Sequence, residues 1–130
     1  MNDETEHGAS VGGWRRKFAC AFRGLVIGVR GESSFYVHTF ATLAVLIVAA
    51  WLRLPSSDWL LLTLCTATVW SAELFNSALE RLAKAITTDE HPDIRDALDL
   101  ASGAVLAVAI GAAIVGLVLL GWPLLSSAAF

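Results

Sequence analysis

From Leu100 to Phe130 the chain contains no charged side chain, and this stretch constrains the fold more than any other. An apolar helix of about 20 residues is long enough to cross the hydrocarbon core of a bilayer. Over the 130 residues of the sequence, 56% of the side chains are apolar and 16% are charged, against roughly 25% charged in soluble domains. The sequence therefore predicts a small all-α membrane protein with a single domain.

Two further apolar segments predict two more membrane-spanning helices. A short turn with Pro55 separates them, and a polar connection with Pro92 precedes the third span. His38, one turn into the first span, is interpreted as a hydrogen-bonded helix residue and not as a ligand. The sequence predicts a disordered polar tail at 1–13 and a second tail at 126–130. Between them, a single domain of residues 14–125 contains a surface helix at 14–30 and spans at 34–53, 59–86 and 93–122.

The segment before the first span has the pattern of an amphipathic helix. Apolar side chains recur there every three or four residues, at Trp14, Phe18, Phe22, Leu25 and Val29. Arginines recur every seven residues on another face, at Arg16, Arg23 and Arg30. An aromatic stripe opposite arginines favours a helix that lies in the membrane interface. The alternative is a helix that faces water and packs on the bundle.

The distribution of basic residues predicts the orientation in the membrane. Most of them precede the first span or surround the second connection: Arg15, Arg16, Lys17, Arg23, Arg30, Arg81, Lys84 and Arg95. Only Arg53 lies at the other membrane surface. The positive-inside rule then places the N-terminus and the second connection in the cytoplasm and the C-terminus outside. No basic patch extends over the whole domain, so a nucleic-acid partner is not expected.

A polar motif interrupts the second span. No charged residue occurs from Trp59 to Ala72, and five polar side chains then share one helical face: Glu73, Asn76, Ser77, Glu80 and Lys84. Ionisable groups near lipid are costly, so they indicate a functional site that faces protein or water. The alternative is that the two glutamates simply pair with Arg81 and Lys84 at the membrane surface.

Carboxylates from all three predicted spans meet at this cytoplasmic surface. They are Glu32, Glu73, Glu80, Asp96 and Asp99. Converging carboxylates beside cationic groups suit Mg²⁺, which takes one or two carboxylates together with substrate phosphates. Phosphoryl transfer needs that metal, a positioned nucleophile and a base. The sequence has no GxxxxGK[ST] motif and no glycine-rich kinase loop, so a nucleotide site here must be of another kind.

At these residues the chain resembles the small prokaryotic membrane lipid kinases, diacylglycerol kinase and its undecaprenol kinase relatives. The resemblance covers about residues 14–122 and is carried by several spaced motifs. These motifs are Glu73 with Asn76-Ser77-Ala78-Leu79-Glu80, His91-Pro92 with Asp99-Leu100-Ala101-Ser102-Gly103-Ala104-Val105-Leu106, and Phe22-Arg23-Gly24 with Glu32. It implies an ATP-dependent kinase of the bacterial inner membrane, assembled as a homotrimeric bundle, that converts diacylglycerol to phosphatidic acid or, as the alternative, phosphorylates undecaprenol.

The resemblance also implies roles for individual residues. Glu73 would be the general base on the lipid hydroxyl, and Asn76 would orient that hydroxyl or the phosphate. Glu32 and Glu80 would hold the Mg²⁺ that is bound to ATP. The nucleotide would be contacted by Arg16, Arg23, His91 and Asp99.

Two positions depart from the family pattern. Lys84 stands where the family usually has an aspartate, and Leu98 stands where it usually has a lysine. One hypothesis is that Lys84 supplies the missing positive charge from the neighbouring helix. The alternative is a degenerate, non-catalytic member that acts in assembly or regulation. A channel or transporter subunit is disfavoured because the acids cluster at one surface instead of crossing the membrane.

Overall fold

The computed structural model describes residues 6–31, 33–87 and 89–127, and their regular structure consists of four α-helices. These are α1 (Glu6–Gly31), α2 (Ser33–Trp51), α3 (Ser56–Ile86) and α4 (Pro92–Ser127). The all-α class is therefore confirmed for the described residues.

The helix ends differ from the predicted bounds at both ends of the chain. α1 begins at Glu6 and not at residue 14, so part of the segment predicted as a tail is helical. α4 continues past Pro123 to Ser127 and does not end near residue 122. Apolar periodicity marks the part of a helix that faces an apolar phase, and for that reason it locates helix ends poorly.

α1 forms a unit of its own, distinct from the remaining helices. Trp14, Phe18 and Phe22 are exposed on it, and the rings of Trp14 and Phe18 lie 6.1 Å apart. Nζ of Lys17 lies 5.1 Å from the centre of the Trp14 ring, within the range of a cation–π contact. One face of α1 thus carries neighbouring aromatic side chains with a cation beside them.

α3 is the central helix of the second unit, because it packs against both α2 and α4. The ring of Phe35 on α2 meets Trp70 edge-on, with centres 5.0 Å apart. Nε1 of Trp70 also donates a 3.3 Å hydrogen bond to the hydroxyl of Thr42. Phe35 is the largest side chain that is fully buried among the described residues. These contacts hold α2 against α3 where the polar motif begins.

The turn between α2 and α3 is closed by a Schellman motif. Arg53 has a positive φ of 53°, and its N–H donates to the carbonyl of Ala50. The next N–H, from Leu54, donates to the carbonyl of Ala49 at 3.2 Å. Leu54 and Ala49 are both buried and pack with Leu62, as expected for the apolar contact of this motif. The chain therefore reverses over four residues, and α3 returns alongside α2.

α4 is the one described helix that is by itself long and apolar enough to cross a membrane. Residues 92–125 have a mean hydropathy of 2.7 in their most apolar window, and only 11% of that window is buried. α3 is long enough to cross a membrane, but its polar residues lower its hydropathy. Three spans and a trimer therefore remain predictions.

Candidate active site

The polar motif of α3 faces inward. Glu73, Asn76 and Ser77 are buried, with 3%, 9% and 4% of their surface exposed, whereas Phe75 and Leu79 on the opposite side of the helix are exposed. A helix that buries its polar residues and exposes its apolar ones reverses the usual pattern of a water-soluble protein. This reversal fits an apolar surrounding and a polar site within the bundle.

Glu73 has its partner on a different helix. Nε2 of His38 on α2 lies 3.0 Å from Oε1 of Glu73, and the two side chains are 22% and 4% exposed. The alternative drawn from the sequence is that Glu73 and Glu80 pair with Arg81 and Lys84. Lys84 does lie 3.8 Å from Glu80, whereas Glu73 contacts His38. No pattern in the sequence indicates the contact with His38, because the two residues lie on separate helices and their distance depends on the packing of α2 against α3.

Asn76 connects α3 to α4. Its amide Nδ2 donates a 2.9 Å hydrogen bond to Oε1 of Glu80, one turn further along α3. Its Oδ1 accepts a long contact of 3.5 Å from the hydroxyl of Ser102 on α4. Nζ of Lys84 lies 3.8 Å from the other oxygen of Glu80, and Lys84 is largely exposed. The motif thus runs from a buried carboxylate at Glu73 to a partly exposed one at Glu80.

A groove between the end of α3 and the start of α4 brings further predicted residues together. Lys84, His91, Leu98 and Asp99 all line it, together with Arg95. Nη2 of Arg95 pairs with Glu90 at 2.7 Å, and Nδ1 of His91 lies 3.7 Å from Asp93. His91 and Asp99, which the resemblance assigns to the nucleotide, therefore lie at one groove of mixed charge. Arg16 and Arg23 lie on α1, which forms the other unit of the chain.

Of the two residues predicted to bind metal, only Glu80 can be described. Glu32 lies outside the described residues. Within the described part of the chain, no three side chains of Asp, Glu, His or Cys lie close enough to hold a metal ion on their own. Mg²⁺ bound to a nucleotide needs one or two carboxylates because phosphate oxygens and water complete its shell. Glu80, which is 32% exposed, fits a site of that kind.

The fold and the site define a helical, membrane-capable protein with a buried carboxylate and an adjacent carboxylate–amide pair. The family model for prokaryotic diacylglycerol kinase matches residues 19–120. The chain therefore belongs to the prokaryotic diacylglycerol kinase family.

Two characterised relatives resemble the chain over most of its length. An undecaprenol kinase of Bacillus subtilis is 32% identical over 117 residues, which cover 90% of this chain and 95% of the relative. A diacylglycerol kinase of a Synechocystis species is 36% identical over 110 residues, or 84% of this chain. That match spans 63% of the Synechocystis protein, less than two thirds of its length. Both relatives are lipid kinases, and they are named for different lipids.

Proposed function

We propose that the protein transfers the γ-phosphoryl group of ATP to the hydroxyl group of a membrane lipid. The observation that carries the proposal is the buried Glu73 carboxylate, one turn before the Asn76–Glu80 pair on the inward face of α3. In a chain of this family, a carboxylate placed there suits the activation of an alcohol that arrives from the lipid phase. The phosphate donor arrives from the aqueous side.

Glu73 acts as the general base in this proposal. As the lipid oxygen forms its bond to the γ-phosphorus, the hydroxyl proton passes to the Glu73 carboxylate, and the bond to the β-phosphate oxygen breaks. The products are a phosphorylated lipid and ADP. General bases contribute about 100- to 10,000-fold to such steps. Asn76, fixed by its hydrogen bond to Glu80, orients the hydroxyl or the transferred phosphate.

Glu80 would hold Mg²⁺ on the phosphates of ATP, and the family resemblance implies Glu32 as the second carboxylate. That ion would supply charge neutralisation to the transferring phosphoryl group. The groove lined by His91 and Asp99 would receive the nucleotide. For Arg16 and Arg23, phosphate contacts are implied by the family resemblance alone. The exposed position of this groove, next to the partly exposed Glu80, supports a donor that comes from water.

Diacylglycerol is the first candidate substrate, and undecaprenol is the second. One specific observation favours the second candidate, namely that the match to the Bacillus undecaprenol kinase extends over 95% of that protein. The match to the Synechocystis diacylglycerol kinase shows a slightly higher identity but leaves more than a third of that protein unmatched.

The proposed membrane arrangement is the one predicted from the sequence: an interfacial α1, three spans, a site at the cytoplasmic surface of the inner membrane, and three copies in a bundle. Support for contacts beyond one chain comes from α4, most of whose apolar surface is not buried. A Cβ atom added at Gly103 or Gly111 would meet nothing within 4 Å, so another helix has room to approach there.

The test is phosphorylation of diacylglycerol and of undecaprenol by the purified protein in mixed micelles with ATP and Mg²⁺. We expect turnover of one lipid and its loss in Glu73→Gln. Formation of phosphatidate identifies the first candidate, and formation of undecaprenyl phosphate identifies the second. Absence of turnover on both lipids, from folded protein that still binds Mg·ATP, would instead establish a degenerate kinase.

A further inference from the structure

The pair formed by His38 and Glu73 is the closest contact between titratable groups of α2 and α3 among the described residues. Nε2 of His38 lies 3.0 Å from Oε1 of Glu73. An ionised carboxylate can only accept hydrogen bonds, so Nε2 carries the hydrogen in this contact. A donor aimed at a buried carboxylate stabilises its charged form, which is the form that can take up a proton.

The surroundings make this hydrogen bond important for Glu73. The carboxylate is almost completely buried, so water contributes little to its solvation. His38 also lines a largely apolar cleft between α2, α3 and α4, with Val45, Leu62 and Val69 among the lining residues. His38 therefore borders both the carboxylate and this cleft.

Among the described residues, few other titratable groups lie within about two turns of this pair along α2 and α3. On α2 the only other one is Tyr36, which is exposed. On α3, Cys65 lines the same cleft, Glu80 contacts Asn76 and Lys84, and Arg81 follows Glu80 and makes an interaction of its own. On α4 the last titratable residue is Asp99, which lines the nucleotide groove.

We propose that His38 is a positioning residue for the reaction: its Nε2–H holds Oε1 of Glu73 and directs the second oxygen toward the lipid hydroxyl. This inference rests on the proposed function. His38 takes no proton and touches neither substrate; it acts through Glu73. The contact also ties the base on α3 to α2, so the direction of the carboxylate depends on two helices.

The first part of the test compares two substitutions of His38. His38→Leu replaces the imidazole by an apolar side chain of similar size and so removes the donor. His38→Gln instead retains an N–H donor near the position of Nε2. We expect kcat to fall about 10- to 100-fold in the leucine variant, with KM for ATP nearly unchanged, because small misplacements of a reacting group are costly. The glutamine variant should recover most of the loss. Thr39→Val is the matched control, since the Thr39 hydroxyl bonds only to the carbonyl of Phe35 in its own helix.

The second part is a double-mutant cycle with Glu73→Asp, whose shorter side chain cannot keep the same contact. If His38 acts through Glu73, the leucine substitution should cost less than about threefold in the Glu73→Asp background, because the two effects overlap. Three outcomes would each overturn the inference. They are multiplicative effects of the His38→Leu and Glu73→Asp substitutions, equal losses in the leucine and glutamine variants, and an unchanged kcat in His38→Leu. A wild-type protein without lipid phosphorylation would contradict the proposed function itself. Gel filtration and tryptophan fluorescence in detergent identify a variant that has lost its fold.

Discussion

Nδ2 of Asn76 donates a 2.9 Å hydrogen bond to Oε1 of Glu80, and both residues lie on the helical face that begins with the buried Glu73. The bond fixes the amide and leaves Glu80 partly exposed, with its other oxygen 3.8 Å from Lys84 at the groove of His91 and Asp99. In the proposed reaction this bond connects the residue that orients the acceptor to a residue that holds the metal.

Glu73→Gln should abolish most of the lipid phosphorylation while the protein remains folded. The amide oxygen of glutamine still accepts from His38, but it cannot take the proton of the lipid hydroxyl. We expect kcat to fall by about 100- to 10,000-fold. The measurement is the rate of lipid phosphate formation in mixed micelles. Asp58→Asn, which changes a carboxylate in the first turn of α3, at the other end of that helix from Lys84, serves as the control and should retain activity near the wild-type level.

Asn76→Ala should lower kcat by about 100-fold, because removal of one preorganised donor at a phosphoryl or acyl centre typically costs that much. Ser102→Ala, which removes only the 3.5 Å contact to Oδ1 of Asn76, should change the rate less than about threefold. Steady-state kinetics of the two variants check this difference. Similar losses in both would mean that the link to α4 matters as much as the amide itself.

Glu80→Gln should increase the Mg²⁺ concentration that gives half-maximal activity. Loss of a side chain that merely orients a metal ligand weakens metal binding about 10- to 100-fold. Because Glu80 is proposed as a ligand itself, we expect the half-maximal Mg²⁺ concentration to rise at least about tenfold. Chelation of Mg²⁺ with EDTA should stop the wild-type reaction, and added Mg²⁺ should restore it. A Glu80→Gln variant with an unchanged Mg²⁺ dependence would remove Glu80 from the metal site.

Lys84→Asp should reduce activity about tenfold or more, since a charged contact to phosphate is lost. Lys84 and Leu98 line the same groove, so a lysine at position 98 can replace the lost charge. The double variant Lys84→Asp with Leu98→Lys should therefore regain activity in the same assay. If Lys84→Asp alone leaves the rate unchanged, Lys84 does not compensate for Leu98.

Arg53→Gly should stabilise the fold by about 1 kcal/mol, because a side chain in the left-handed region is strained and glycine is not. Arg53 has a φ of 53° and closes the turn between α2 and α3. Thermal unfolding in detergent micelles, followed by circular dichroism, should show a higher midpoint and an unchanged kinase rate. Arg53→Ala, which keeps a Cβ, should not raise the midpoint.

The sequence was sufficient to predict the all-α class and the face of α3 on which the structure buries polar side chains. Both follow from local patterns: the uncharged run after Asp99 and the helical spacing of Glu73, Asn76 and Glu80. The partner of Glu73 could not be predicted in this way. The pair with His38 depends on how α2 packs against α3, and spacing within one helix contains no information on that packing.

Helix ends were also harder to predict than helices. Pro123 suggested the end of the last helix because proline lacks an amide donor, yet α4 runs past it. At the N-terminus the apolar stripe begins at Trp14, whereas α1 begins earlier, at Glu6. The patterns identified which parts of each helix meet an apolar surrounding, and the backbone continues beyond those parts.

The contacts of His38 with Glu73 and of Ser102 with Asn76 join side chains of α2, α3 and α4 in the candidate site. Each helix can keep its backbone hydrogen bonds in a detergent micelle even after the three have separated. Helical content is then a poor guide to whether a preparation is native. When detergents for this protein are chosen, enzymatic rate should be the criterion, because separation of the helices dismantles the site while the circular dichroism spectrum stays the same.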